Sequence, residues 1–150
     1  MKKQNFTKAY FIILGIATLF FGVMDFAATV GHLDLTWGII QIPNDGFRGG
    51  WGGLVIIFAG LFYLFGIKNI SEIHQLAKLI IGSILIWIMA GTDIFAMITE
   101  SIPGGEGGPW FNSLEGFLET YAPPYTPAIL LLPFSLVVIY YFSYSKRKAN

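Results

Sequence analysis

The chain contains no cysteine, only two histidines (His32 and His74), and nine basic and nine acidic side chains in 150 residues. Without cysteine no disulfide staples its loops, and thiol redox chemistry is excluded. The two histidines fall on opposite membrane faces in the layout derived below, so no haem held within the chain is expected. Charged residues make up 12% of the chain against 55% hydrophobic, a balance too apolar for an ordinary soluble domain. No HExxH or repeated HxH supplies metal ligands. No GxSxG elbow supplies a nucleophile, and no phosphate-binding glycine loop carries its Lys and Ser/Thr. The few cations flank apolar segments instead of forming a patch interleaved with aromatics, so no nucleic-acid partner is expected.

What the chain does have is four long apolar segments, about 9–31, 50–67, 76–98 and 127–144. A helix needs ~20 residues, each rising ~1.5 Å, to cross ~30 Å of hydrocarbon. All four segments approach or exceed that length. They predict an all-α integral membrane protein, a four-transmembrane-helix bundle forming a single domain over residues 1–150 in the lipid bilayer. Eight of the nine basic residues lie on one side of such a bundle: Lys2, Lys3, Lys8, Lys68, Lys78, Lys146, Arg147 and Lys148. The positive-inside rule then makes both termini cytoplasmic in a multi-pass protein of the cell membrane. The other side holds Asp34, Asp45, Glu100, Glu106, Glu115 and Glu119 against Arg48 alone. A basic Met1-Lys2-Lys3 start before an apolar run to Met24 imitates a secretory leader; we read it as an uncleaved first helix. The layout is similar to that of tetraspanins in topology only, because the cysteines that define that family's outer loop are missing.

Small residues at Gly15, Gly22, Gly53, Gly60, Gly82, Ala90 and Gly91 mark the bundle-facing stripes of the first three helices. Ser71 is placed to cap the third helix, with Glu72 in its first turn. The fourth should start with Thr126 as N-cap and Pro127 in the first turn, and Pro133 should kink it. The second outer loop predicts a short amphipathic helix over about 112–121. Leu114, Phe117, Leu118 and Tyr121 lie on one face, Glu115 and Glu119 on another, and Asn112 with Glu115 reads as a capping box. An acidic face is repelled by anionic lipid, so this helix should cover the bundle or meet a partner, with Trp110, Phe117, Glu115 and Glu119 as contact candidates. The outer loops, Ile42 to Trp51 and Ile102 to Trp110, are both Ile-Pro, glycine-rich and tryptophan-ended, and both follow a helix that contains an aspartate. One reading is a duplicated helical hairpin.

Those aspartates, Asp25 and Asp93, are the candidate site, since a carboxylate inside a membrane helix is costly enough to be a functional hypothesis by default. Each lies seven residues deeper than a polar interfacial residue, His32 and Glu100 respectively. The two tiers are ~10 Å apart along a helix, which disfavours one four-ligand cage. Should the aspartates meet, they would share a proton or hold a single cation between them. Oxygen ligands alone suit calcium or sodium, His32 would admit zinc or copper, and a proton relay could use His32 at the mouth. The bland alternative has the aspartates accepting hydrogen bonds from Thr29, Thr92 or a tryptophan, or pairing with Arg48. Three functions follow in order. The first is a small accessory or scaffold subunit of a larger membrane complex, or a self-associating one, without catalytic activity of its own. The second is a compact cation or proton carrier, and the third a membrane enzyme with an outer-leaflet metal site.

Overall fold

The computed structural model describes residues 2–68, 70, 72–102 and 113–149, and the side chains among them except those of 2–4, 117 and 144–149. The chain is mostly helical. Helix α1 spans Lys2–Gly31, and a hairpin of β1 (Leu35–Trp37) and β2 (Ile40–Ile42) follows. A π-helical turn, Gly46–Trp51, runs into α2 (Gly52–Gly66), then come α3 (Ile73–Glu100), α4 (Leu114–Thr120), α5 (Pro127–Ser135) and α6 (Val137–Ala149). Three stretches are long and apolar enough to cross a membrane, Asn5–Gly31, Gly46–Gly66 and Ile73–Glu100, and Pro127–Ser143 is a shorter apolar helical stretch. The second apolar segment looked short at about 50–67. The π turn lengthens it to 21 residues.

Glycines bring α1 and α2 into backbone contact. A Cβ on Gly22 would stand 2.6 Å from Ile57 N, one on Gly53 2.8 Å from Phe26 N, and one on Gly60 2.7 Å from Leu19 N. No larger side chain fits there unless the helices separate. Residues 19 and 26 of α1 thus meet 60 and 53 of α2, so the two run antiparallel. The next pair repeats this arrangement, with Gly82 of α3 against Ala59 O and Gly66 of α2 against Gln75 O. Gly91 departs from the expected stripe: it is exposed, and a Cβ there would meet nothing within 4 Å. Phe11, Ile56, Ala59, Tyr63, Leu79 and Ile86 fill the space between the helices.

The last apolar segment breaks at Leu136, beyond Pro133, where the kink was expected. Side chains from two neighbouring helices occupy the carbonyls just before the break. Tyr10 Oη donates to Phe134 O (2.8 Å), and the Ser83 hydroxyl donates to Ser135 O (3.2 Å), shared with Leu79 O (3.1 Å). Ile139 N–H bonds instead to Leu136 O, three residues back. Insertion of side chains into the helical ladder is a recognised cause of such breaks. Trp87 Nε1 donates to Ser135 Oγ (2.7 Å) and Tyr63 Oη lies 2.7 Å from Ser83 Oγ, so the node has partners throughout.

Several boundaries differ from expectation. Helix α1 starts at Lys2, well before the apolar run. Glu72, with extended backbone, stands at the N-cap of α3, and the expected cap Ser71 lies outside the described residues. In α4 the cap is Ser113, whose Oγ accepts from Gly116 N–H (3.2 Å), while Asn112 lies outside the described residues. The all-α expectation missed the hairpin. Gly38 takes φ +58° in its two-residue turn, the positive-φ geometry such links require. Tyr125 joins the hairpin edge through Gln41 N–H to Tyr125 O (3.0 Å) and Tyr125 N–H to Ile39 O (2.8 Å).

His32 closes α1 with φ +50°. Leu33 N–H bonds to Ala28 O (2.9 Å) and His32 N–H to Thr29 O (3.3 Å), the paired closure of a Schellman motif with histidine at its left-handed position. A Cβ in that conformation costs about 1–2 kcal/mol. His32→Gly should therefore raise thermal stability in detergent, by about 1 kcal/mol. Gly60→Val should lower it by about 1–3 kcal/mol, since its Cβ must push against the Leu19 backbone. Melting curves on the two variants check both expectations.

Candidate functional site

Asp25 leaves α1 opposite Gly53, where an added Cβ would stand 3.1 Å from Asp25 Cβ. Asp93 leaves α3 one turn beyond Met89, whose end packs over Gly52. Both aspartates are almost fully buried, 3% and 5% exposed, and lie within electrostatic range of each other. In each, Oδ1 is buried without a hydrogen-bond partner. The structure therefore buries both carboxylates that the sequence singled out, near enough for the charge of Asp93 to act on Asp25.

The partners expected for them are mostly engaged elsewhere. Thr29 Oγ1 donates to the backbone carbonyls of Asp25 (3.0 Å) and Asp45 (3.3 Å), and Thr92 Oγ1 to that of Met89 (2.7 Å). Hydroxyls on helices commonly turn back on carbonyls in this way. Arg48 pairs through Nε with Asp45 Oδ2 at 3.1 Å, yet its charge also reaches Asp93. The group that does serve a carboxylate is Thr126, whose Oγ1 donates to Asp93 Oδ2. Thr126 occupies the N-cap position of α5, but its side chain makes no capping bond, contrary to expectation. The sequence marked Thr126-Pro127 as a helix start; its role toward Asp93 spans 33 positions and leaves no local signal.

Asp45 holds the π turn above the pair. Its Oδ1 accepts from Phe47 N–H (3.0 Å) and Arg48 N–H (2.7 Å), and its carbonyl accepts from Gly49 and Gly50 N–H (both 3.0 Å). Partial burial pushes its pKa up, but the Arg48 N–H, guanidinium and charge, with the Phe47 N–H, hold the carboxyl below the ordinary aspartate range.

His32 and Glu100 are exposed at the same end of the bundle. Among the described residues no group of three or more His, Asp or Glu side chains could hold a metal ion, so His32 and Glu100 do not complete a metal centre with the pair. Glu115 and Glu119 are exposed on α4, whereas Trp110 and the side chain of Phe117 lie outside the description. No protein-family model, no curated protein and no solved structure matches the chain at a significant level.

The lowered Asp45 value generates a pH dependence with a definite sign. A carboxyl depressed in the folded state adds stability above its unfolded value, and that stability is lost as pH falls through the folded value. The melting temperature should thus decline as the pH drops below the ordinary aspartate value of 3.8. Asp45→Asn keeps an acceptor for the turn while removing the charge, and should flatten that acid limb in melts across a pH series.

Proposed function

We propose that this is a membrane-embedded binding protein for a proton or small cation, with Asp25 and Asp93 as its site. The observation that carries this is the burial of two neighbouring carboxylates, each with a partnerless oxygen, inside an apolar helix bundle. Two such groups need compensating positive charge, which a shared proton or a bound cation supplies. In this reading α5 and α6 continue each other across the Leu136 break as a fourth crossing. The basic residues then place both termini in the cytoplasm and the hairpin end outside, so the pair lies near the outer mouth, below Arg48.

The accessory-subunit role draws on the exposed acidic face of α4, Glu115 and Glu119, and on the exposed Ile139, Tyr140 and Phe142 of α6, which contact with lipid explains equally well. An outer-leaflet metal enzyme would need a third ligand beside the pair, and none of the described residues supplies it.

Asp25→Asn, alone or combined with Asp93→Asn, should abolish proton uptake by the purified protein in vesicles, or its thermal stabilisation by added cations, and Asp93→Asn alone should shift either response. Folding should survive, since each change keeps the side-chain shape. Wild-type behaviour of the double variant in both assays would end this proposal.

A further inference from the structure

The two carboxylates have unequal surroundings, and the inequality assigns their roles. We infer that Asp25 carries the exchangeable proton and that Asp93 is its fixed anionic partner. This inference rests on the pair being the ion site and goes further by naming the proton as the ligand.

Asp93 is surrounded by groups that favour negative charge. Thr126 Oγ1 donates to its Oδ2, placing the carboxylate at the N-terminal end of α5, a nine-residue helix. The aligned peptide dipoles of a helix favour an anion there. The Arg48 guanidinium acts on it from the π turn, held in place by Asp45 at 3.1 Å. The opposing charge of Asp45, paired with Arg48, also reaches Asp93 and offsets part of that attraction. Burial opposes a charge on Asp93 as it does on Asp25, but of the two only Asp93 has a counter-charge, a donor and a dipole that favour it as the ion.

Asp25 has none of these. It sits within α1, where the backbone N–H groups are engaged in the helical ladder. Across from it α2 presents Gly53, which has no side chain. The nearby Thr29 hydroxyl is committed to two carbonyls. Among the described residues the charged groups at this end are Asp93 from α3, Arg48 of the π turn with Asp45 at its N-cap, and the exposed His32, Asp34, Glu100, Glu115 and Glu119; no hydrogen bond links any of them to Asp25 Oδ1. A carboxylic acid needs only an acceptor for its O–H, and Asp93 Oδ1 is a buried acceptor with nothing donating to it. A proton on Asp25 turns one partnerless oxygen into a donor and leaves the other as acceptor, so one proton suits both.

Infrared difference spectroscopy on the full-length protein in vesicles, stepped in pH, reads this out through the C=O band of a buried protonated carboxyl. The wild type should show the band. Asp25→Asn should lose it, and Asp93→Asn should keep it with a shifted pH of disappearance. Asp25→Glu, which keeps a carboxyl, should retain the band at a displaced frequency. Thr126→Val should keep the band and move its pH dependence. Survival of the band in Asp25→Asn with loss in Asp93→Asn would overturn the assignment while leaving the site standing. A wild type with no band but with cation-dependent stabilisation would also overturn it, because the ligand would then be a metal cation. Absence of both signals would remove the site itself.

Discussion

The close approach of α1 and α2 is the constraint on which the hairpin end depends. Helices packed through ordinary side chains lie ~8–10 Å apart with a layer of atoms between them. At Gly22, Gly53 and Gly60 that layer is missing, and the backbone of one helix touches the other. The glycine that permits contact beside Asp25 also deprives it of a hydrogen-bonding neighbour on α2. A packing device thereby produces an electrostatic one, since Asp25 is buried without donors because the helices fit so tightly there.

Polar groups elsewhere in the bundle are quiet. Thr18, Thr92, Thr99 and Ser101 donate to carbonyls of their own helix, and the Tyr63–Ser83–Ser135–Trp87 cluster supplies its own partners. Hydroxyls satisfied in this way stabilise without inviting chemistry. Against that background the two partnerless aspartate oxygens stand out. The elements around them are also tied to one another. Tyr125 is bonded to the hairpin and is followed directly by Thr126, which is bonded to Asp93. Asp45 anchors the π turn and receives the Thr29 hydroxyl of α1. Whatever alters Asp93 therefore acts on the same short chain of contacts that closes the bundle at this end.

The helices long and apolar enough to cross a membrane, and the two carboxylates buried among them, were legible in the sequence. Hydropathy over ~20 residues and the rarity of buried charge are local properties, readable without a partner. The short helix α4 was legible for the same reason, through the spacing of Leu114 and Leu118 against Glu115 and Glu119, although both leucines stand exposed rather than packed on the bundle. Less legible were features in which local preference gives way to contact. The break at Leu136 comes from donors on α1 and α3 rather than from Pro133 alone. The hairpin rests on a short strand pair and an edge bond to Tyr125, more than eighty positions away. Thr126 looked like a cap and became a ligand to Asp93, because capping and donation compete for the same hydroxyl.

By itself, then, the sequence determined which helices are long and apolar enough to cross a membrane and which two side chains are out of place in them. Tertiary structure alone decided that those side chains are both buried within electrostatic reach of each other, that Thr29, Thr92 and Arg48 answer mainly to other partners, and that Asp25 and Asp93 have unequal surroundings. The physical reason is that burying a carboxylate is a cost any single helix can reveal. The means of compensating it, a hydroxyl, a helix end or a guanidinium, arrives from other helices and turns, whose placement no local pattern encodes.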